Sequence, residues 1–146
     1  MNITKENVFK GNIADPYSIV HIINGFNISL FLELFVTDNK TKIFTYGFIF
    51  HLLYEIKDFL FYYKYKKKLI KPNLSILPFI IYDYSRNTFL NSLGDQIFHT
   101  IGYFVYLNIK KKYEFTKNQY IVFFFISNIL AYFLIQIYND NTSKKK

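Results

Sequence analysis

A four-span membrane helix bundle is the fold class this sequence predicts, and three features predict it. The 146-residue chain is 51% hydrophobic and 22% aromatic, which is too apolar for disorder. Its apolar residues fall in runs of about 20, the length that crosses a bilayer. Its lysines cluster between those runs, where positive charge sits beside lipid headgroups. The net charge of +8 would otherwise point to nucleic acid. Clusters confined to the turns between apolar runs do not make such a surface, so no nucleic-acid partner is expected. The absence of cysteine excludes disulfides, thiolate metal sites and cysteine nucleophiles.

Residues 1–16 are polar and mixed in charge and lack the pattern of a cleaved signal peptide; they read as a cytosolic N-terminal segment. Residues 17–138 read as a single membrane domain. The first span is predicted over 17–36, with His21, Asn24 and Asn27 as polar exceptions and Glu33 near its far end, within reach of the interface. TDNKTK makes a short turn into the second span, 43–63, which carries His51, Glu55, Lys57 and Asp58. Each charged residue near a span centre costs roughly 2.5–3.5 kcal/mol on insertion scales, so these groups must face protein or water. His51, Glu55 and Asp58 share one stripe at i, i+4 and i+7, whereas Lys57 points elsewhere and is expected to snorkel toward the basic loop that follows. LSILPFIIY, residues 74–82, is too short to span and is interrupted by Pro78; it reads as an interfacial or re-entrant piece, with a short helix as the alternative. The third span covers 88–109 and the fourth 119–138, with a basic turn between them, and 139–146 reads as a disordered basic tail. Tyrosines at the span ends supply the interfacial belt. The larger share of lysine and arginine falls on the side that holds both termini, which places both in the cytosol.

The third span carries the feature that bears on function. Asn91, Asp95 and His99 follow one another at steps of four, so they form a polar stripe on one helix face. A carboxylate and an imidazole inside a lipid-spanning segment suggest a function by default. At about 1.5 Å of rise per residue, the polar groups of three spans fall at common depths. His51 and His99 lie near the midplane; Glu55, Asp95 and Asn24 lie one layer nearer the cytosol; Asp58, Asn91 and His21 lie outermost. One polar cluster in the cytosolic half of the bundle follows. Glu55, Asp58, Asp95, His21 and His99 are its candidate active groups, supported by Asn24, His51 and Asn91. Gly25, Gly47, Gly94 and Gly102 are expected to allow close helix approach.

His21-Ile22-Ile23-Asn24-Gly25, Tyr54-Glu55-Ile56-Lys57-Asp58 and Asn91-Ser92-Leu93-Gly94-Asp95, followed by Gly102-Tyr103, resemble the signatures of an uncharacterised family of small multi-pass membrane proteins, VanZ-like and YjdF-like in style. Those signatures run H-x-x-H-G, W-E-x-x-E-N and G-D-S-x-x-N-S-x-x-D with a later G-F. Asn24 replaces the second histidine, and Arg86-Asn87-Thr88 stands where G-D-S is expected. The resemblance covers residues 15–109 and implies a polytopic helical membrane protein with no established reaction. The composition resembles that of membrane proteins from large DNA viruses, which implies a host or virion membrane.

The leading reading is a multi-pass membrane protein whose polar cluster holds the helices in register, with interhelical hydrogen bonds of about 0.6 kcal/mol each. An enzyme acting on a lipid or other amphiphile is the first alternative and a proton or ion path the second, so enzymatic activity stays open. No cofactor is predicted. A divalent metal on the imidazoles and carboxylates is a minor alternative, because no compact motif such as H-E-x-x-H is present. Ser92 has no serine-hydrolase elbow around it. Membrane lipids are the expected partners, with anionic headgroups at Lys64, Lys66, Lys67 and Lys68. The oligomeric state is not fixed by the sequence.

Overall fold

The computed structural model describes residues 13–14, 17–69, 73–77, 80–83, 87–114 and 116–143. The fold is helical, with four long helices: α1 (Ser18–Phe35), α2 (Lys40–Lys66), α3 (Phe89–Lys112) and α4 (Lys117–Ser143). These fall on the four predicted spans, with α2, α3 and α4 extending a few residues beyond them. Between α2 and α3 lies an antiparallel hairpin of β1 (Asn73–Leu77) and β2 (Ile80–Asp83), with Leu74 opposite Tyr82 and an irregularity between Ser75 and Leu77. Of the stretch 74–82, expected to be an interfacial or re-entrant piece with a short helix as the alternative, residues 74–77 and 80–82 are extended and not helical. Its isoleucines favour strand, and a proline within the run disfavours helix. Most of the predicted N-terminal segment and Lys71, Pro78 and Arg86 lie outside the described residues. The α4 helix continues through Ser143, into the segment expected to be disordered, and residues 144–146 lie outside the described part.

Local chemistry marks the helix ends. Asn39 Oδ1 accepts from the Lys42 N–H at 3.0 Å, and Thr88 Oγ1 accepts from the Asn91 N–H at 3.3 Å. Both are side-chain N-caps that satisfy an otherwise orphaned donor. Thr116 and Gln119 form a capping box at the start of α4: Gln119 Oε1 accepts from the Thr116 N–H at 2.8 Å, and Thr116 Oγ1 accepts from the Gln119 N–H at 3.4 Å. The C-terminal turns of α2 and α3 carry Lys64 and Lys66, and Lys110, Lys111 and Lys112, which complement the helix dipole. The α2 helix ends in a Schellman motif: the Lys68 N–H reaches the Tyr65 carbonyl at 2.8 Å, and the Leu69 N–H reaches the Lys64 carbonyl at 3.0 Å. Lys68 takes the left-handed position with φ 58°, which glycine usually fills.

The helices run up, down, up, down. α1 touches all three others and α3 most extensively. The α1–α3 crossing depends on missing side chains. A Cβ on Gly25 would sit 2.0 Å from the His99 carbonyl oxygen, and one on Gly102 would sit 2.1 Å from that of Ile22. A Cβ on Gly94 would likewise collide with the Ile13 carbonyl. Gly47 differs from the expectation, since its added Cβ would meet only side chains at 3.5–3.9 Å, ordinary packing distances.

At one end of the bundle Leu30, Ile43, Tyr103 and Tyr106 form an apolar core, flanked by Phe26, Phe44 and Phe124. Tyr103 donates its hydroxyl to the Lys40 carbonyl at 3.0 Å. Glu33 accepts from the Tyr106 hydroxyl at 2.7 Å and pairs with Lys110, so it is held by α3 at the predicted span end. Ser127 of α4 donates to Asn27 Oδ1 of α1. Elsewhere the usual polarity is inverted. Among the described residues seven hydrophobic side chains are buried against eleven polar or charged ones, while large apolar residues cover the outside. Two helices, Ser18–Phe35 and Lys117–Ile137, are long and apolar enough to cross a membrane. α2 and α3, which carry most of the buried charged and polar groups, do not reach that measure.

Candidate functional site

The buried polar groups gather where α1, α2 and α3 meet, at the end of the bundle opposite the apolar core. α2 presents His51, Glu55 and Asp58 on its inner face, and α3 presents Asn91, Asp95, Gln96 and His99; all seven are buried. The reason is periodicity. Tyr46, Ile49, Phe50, Leu53, Ile56 and Leu60 occupy the outer face of α2, and Phe89, Leu93, Ile97, Ile101 and Phe104 that of α3. Steps of three and four leave the polar residues on the inner stripe. His21 comes from α1, one turn before the Gly25 contact that draws α1 against α3.

His51 is the hub. Its Nε2 lies 3.1 Å from His21 Nδ1 and 3.5 Å from Glu55 Oε1. Its Nδ1 lies 2.9 Å from Gln96 Oε1, an acceptor, so the proton of that contact is on Nδ1. The His99 ring stacks on His51 with centroids 4.1 Å apart at 22°, and His21 meets His51 edge-on at 5.3 Å. His21 Nε2 lies 3.3 Å from Asp95 Oδ1. One donor atom from each of His21, His51 and Glu55 lies within 4.8 Å of the other two, a spacing that could hold a metal ion.

Of the candidates, His21, His51, Glu55, Asp95 and His99 come together, and His51 stacks on His99. His21 lies deeper than predicted: it is level with His51 and Asp95 rather than with the outer layer. Asp58 is buried but turns to Lys57, whose Nζ is 2.8 Å away and lies 3.6 Å over the Tyr54 ring. Lys57 thus folds back on its own helix instead of snorkelling to the loop. Asn91 is buried, and the contact that defines its place is the backbone cap from Thr88. Asn24 is only partly buried. Gln96 was not anticipated. It lies one residue off the Asn91–Asp95–His99 stripe, and the available signal was an amide three residues before His99, on the same i, i+3 face. Among the described residues, the buried His99 Nε2, Gln96 Nε2 and Glu55 Oε1 have no hydrogen-bond partner. A void beside His99, lined by Ser29, Gly47, Phe48 and Thr100, is about 10 Å³, room for one water at most.

No family model, curated protein or solved structure matches this chain.

Proposed function

We propose that this chain is a multi-pass integral membrane protein, all four helices crossing the bilayer, whose buried histidine and carboxylate cluster locks α1, α2 and α3 in register within the cytosolic half. The inverted polarity carries this reading. Buried side chains that are mostly polar, under a surface of Phe, Ile, Leu and Tyr, suit a solvent as apolar as lipid and would make a soluble domain aggregate. Burying Asp95 and Glu55 in a bundle that is itself in lipid is tolerable only if they face one another's helices, as they do here. The motif resemblance supports the same polytopic architecture, and the lysine clusters after α2 and α3 support headgroup contact.

Alkaline extraction together with accessibility tags tests it. All four helices crossing predicts a chain that stays in the membrane pellet, with tags at both termini on one face and a tag in the 37–39 turn on the other. Termini on opposite faces, or release into the alkaline supernatant, refutes it.

A further inference from the structure

His51 Nε2 is the meeting point of three donor atoms. His21 Nδ1 lies 3.1 Å from it and Glu55 Oε1 lies 3.5 Å from it. Behind the two imidazoles, His51 Nδ1 lies 2.9 Å from Gln96 Oε1 and His21 Nε2 lies 3.3 Å from Asp95 Oδ1. Gln96 Oε1 accepts, which places the His51 hydrogen on Nδ1 and leaves a lone pair on Nε2. Glu55 Oε1 is buried beside that lone pair and accepts no hydrogen bond among the described residues. A carboxylate oxygen and an imidazole lone pair thus approach each other inside the bundle, an arrangement that a shared cation makes attractive.

We infer that His21 Nδ1, His51 Nε2 and Glu55 Oε1 form a binding site for one divalent metal ion of the zinc class, with Asp95 and Gln96 orienting the two imidazoles from behind. Three observations support an ion over an added proton. First, a proton bridges two atoms, whereas three donors converge here. Second, the spacings fit: with metal–ligand bonds of about 2.0–2.1 Å, two ligands of a tetrahedral ion sit about 3.3–3.4 Å apart, and the two donor separations at His51 are 3.1 and 3.5 Å. No donor exceeds 4.8 Å from another, within reach of side-chain rotation. Third, the donors are buried: His51 and Glu55 are each no more than 5% exposed, so the Glu55 carboxylate calls for a counter-charge at that point.

Donor type selects the metal. Imidazole nitrogen with a single carboxylate oxygen suits zinc and its borderline neighbours and is too nitrogen-rich for calcium or magnesium. Behind His51, the Gln96 carbonyl oxygen accepts the other ring N–H, the pattern that orients a ligating histidine, and Asp95 Oδ1 lies 3.3 Å from His21 Nε2. His99, stacked on His51, is not a ligand here. Two histidines and one glutamate also leave a fourth position free, the arrangement of sites that keep a water or substrate on the ion.

The inference depends on the three-helix cluster and not on the number of membrane crossings, so its failure and that of the topology are separable. The test uses the full chain in detergent, purified with a tag that contains no histidine. Metal is counted by elemental analysis, and after chelator treatment Co2+ is titrated as the spectroscopic probe. The expected result is one zinc-class ion per chain, and a Co2+ spectrum with the intense visible bands of a four- or five-coordinate ion. Glu55→Gln and His51→Ala should abolish that spectrum, Asp95→Asn should weaken Co2+ binding about tenfold or more, and His99→Gln should leave the stoichiometry unchanged. The wild-type measurement decides even if a variant fails to fold. Chelator-treated wild type that takes up no Co2+, or only six-coordinate Co2+ removed by a desalting column, overturns the site. So does a folded Glu55→Gln variant that binds as the wild type does.

Discussion

The two ends of this bundle are built from the same helices and held by different physics. At the Leu30–Ile43–Tyr103–Tyr106 end, apolar surfaces interlock and the polar groups present are paired: Glu33 has Tyr106 and Lys110, and Tyr103 has a backbone carbonyl. At the His51 end, space is filled by imidazoles, carboxylates and an amide, and Glu55 Oε1 accepts no hydrogen bond among the described residues. The proposed metal would make the stability of the polar end depend on solution composition and leave that of the apolar end unchanged.

The comparison is most strongly tested by the joint on which both ends depend. Gly25→Val or Gly102→Val forces a side chain into a backbone carbonyl about 2 Å away, so α1 and α3 must separate. Overpacking of this kind costs about 3 kcal/mol or more, and both variants should lose the monodisperse peak in size-exclusion chromatography. Gly47→Ala, with contacts at ordinary distances, should keep it.

Next come changes confined to one end. Leu30→Ala empties a fully buried position and should lower stability by about 2–4 kcal/mol, with or without added metal, when followed by thermal unfolding in detergent. At the other end, adding Zn2+ at a hundredfold excess over its dissociation constant should stabilise the wild type by about 2.7 kcal/mol. It should leave Glu55→Gln unmoved. An equal response in both proteins would mean that the two ends do not differ in the way described.

Much of this contrast was legible in the sequence. The helix positions follow from apolar run length, and the inward stripes of α2 and α3 follow from the spacing of His51, Glu55 and Asp58 and of Asn91, Asp95 and His99. Layering by depth paired His51 with His99. It misplaced His21, because rise per residue fixes height along each helix and not how two helices slide past each other; that offset is set by the Gly25–Gly102 contact. Gln96 was missed because its role is to accept from a ring nitrogen whose direction depends on the rotamer of His51. For residues 74–82 the sequence leaves an interfacial or re-entrant piece and a short helix open, and not the paired strands, because length and hydropathy do not distinguish a short apolar helix from strands.

The smallest expected effect lies outside both ends. Lys68 holds a left-handed conformation that closes α2, so Lys68→Gly should raise the melting temperature slightly, by an amount equivalent to about 0.5–1 kcal/mol. Because it touches neither end, the gain should be the same with and without Zn2+.

The glycine crossing has a mechanical consequence. With carbonyls of one helix resting against bare α-carbons of the other, α1 and α3 behave as a single beam. α2 meets this beam mainly through side chains, with the Lys40 carbonyl on the Tyr103 hydroxyl as a backbone contact. His21 and Asp95 are mounted on the beam, while His51 and Glu55 are mounted on α2. The contact between the two imidazoles is therefore also a tie between α2 and the beam.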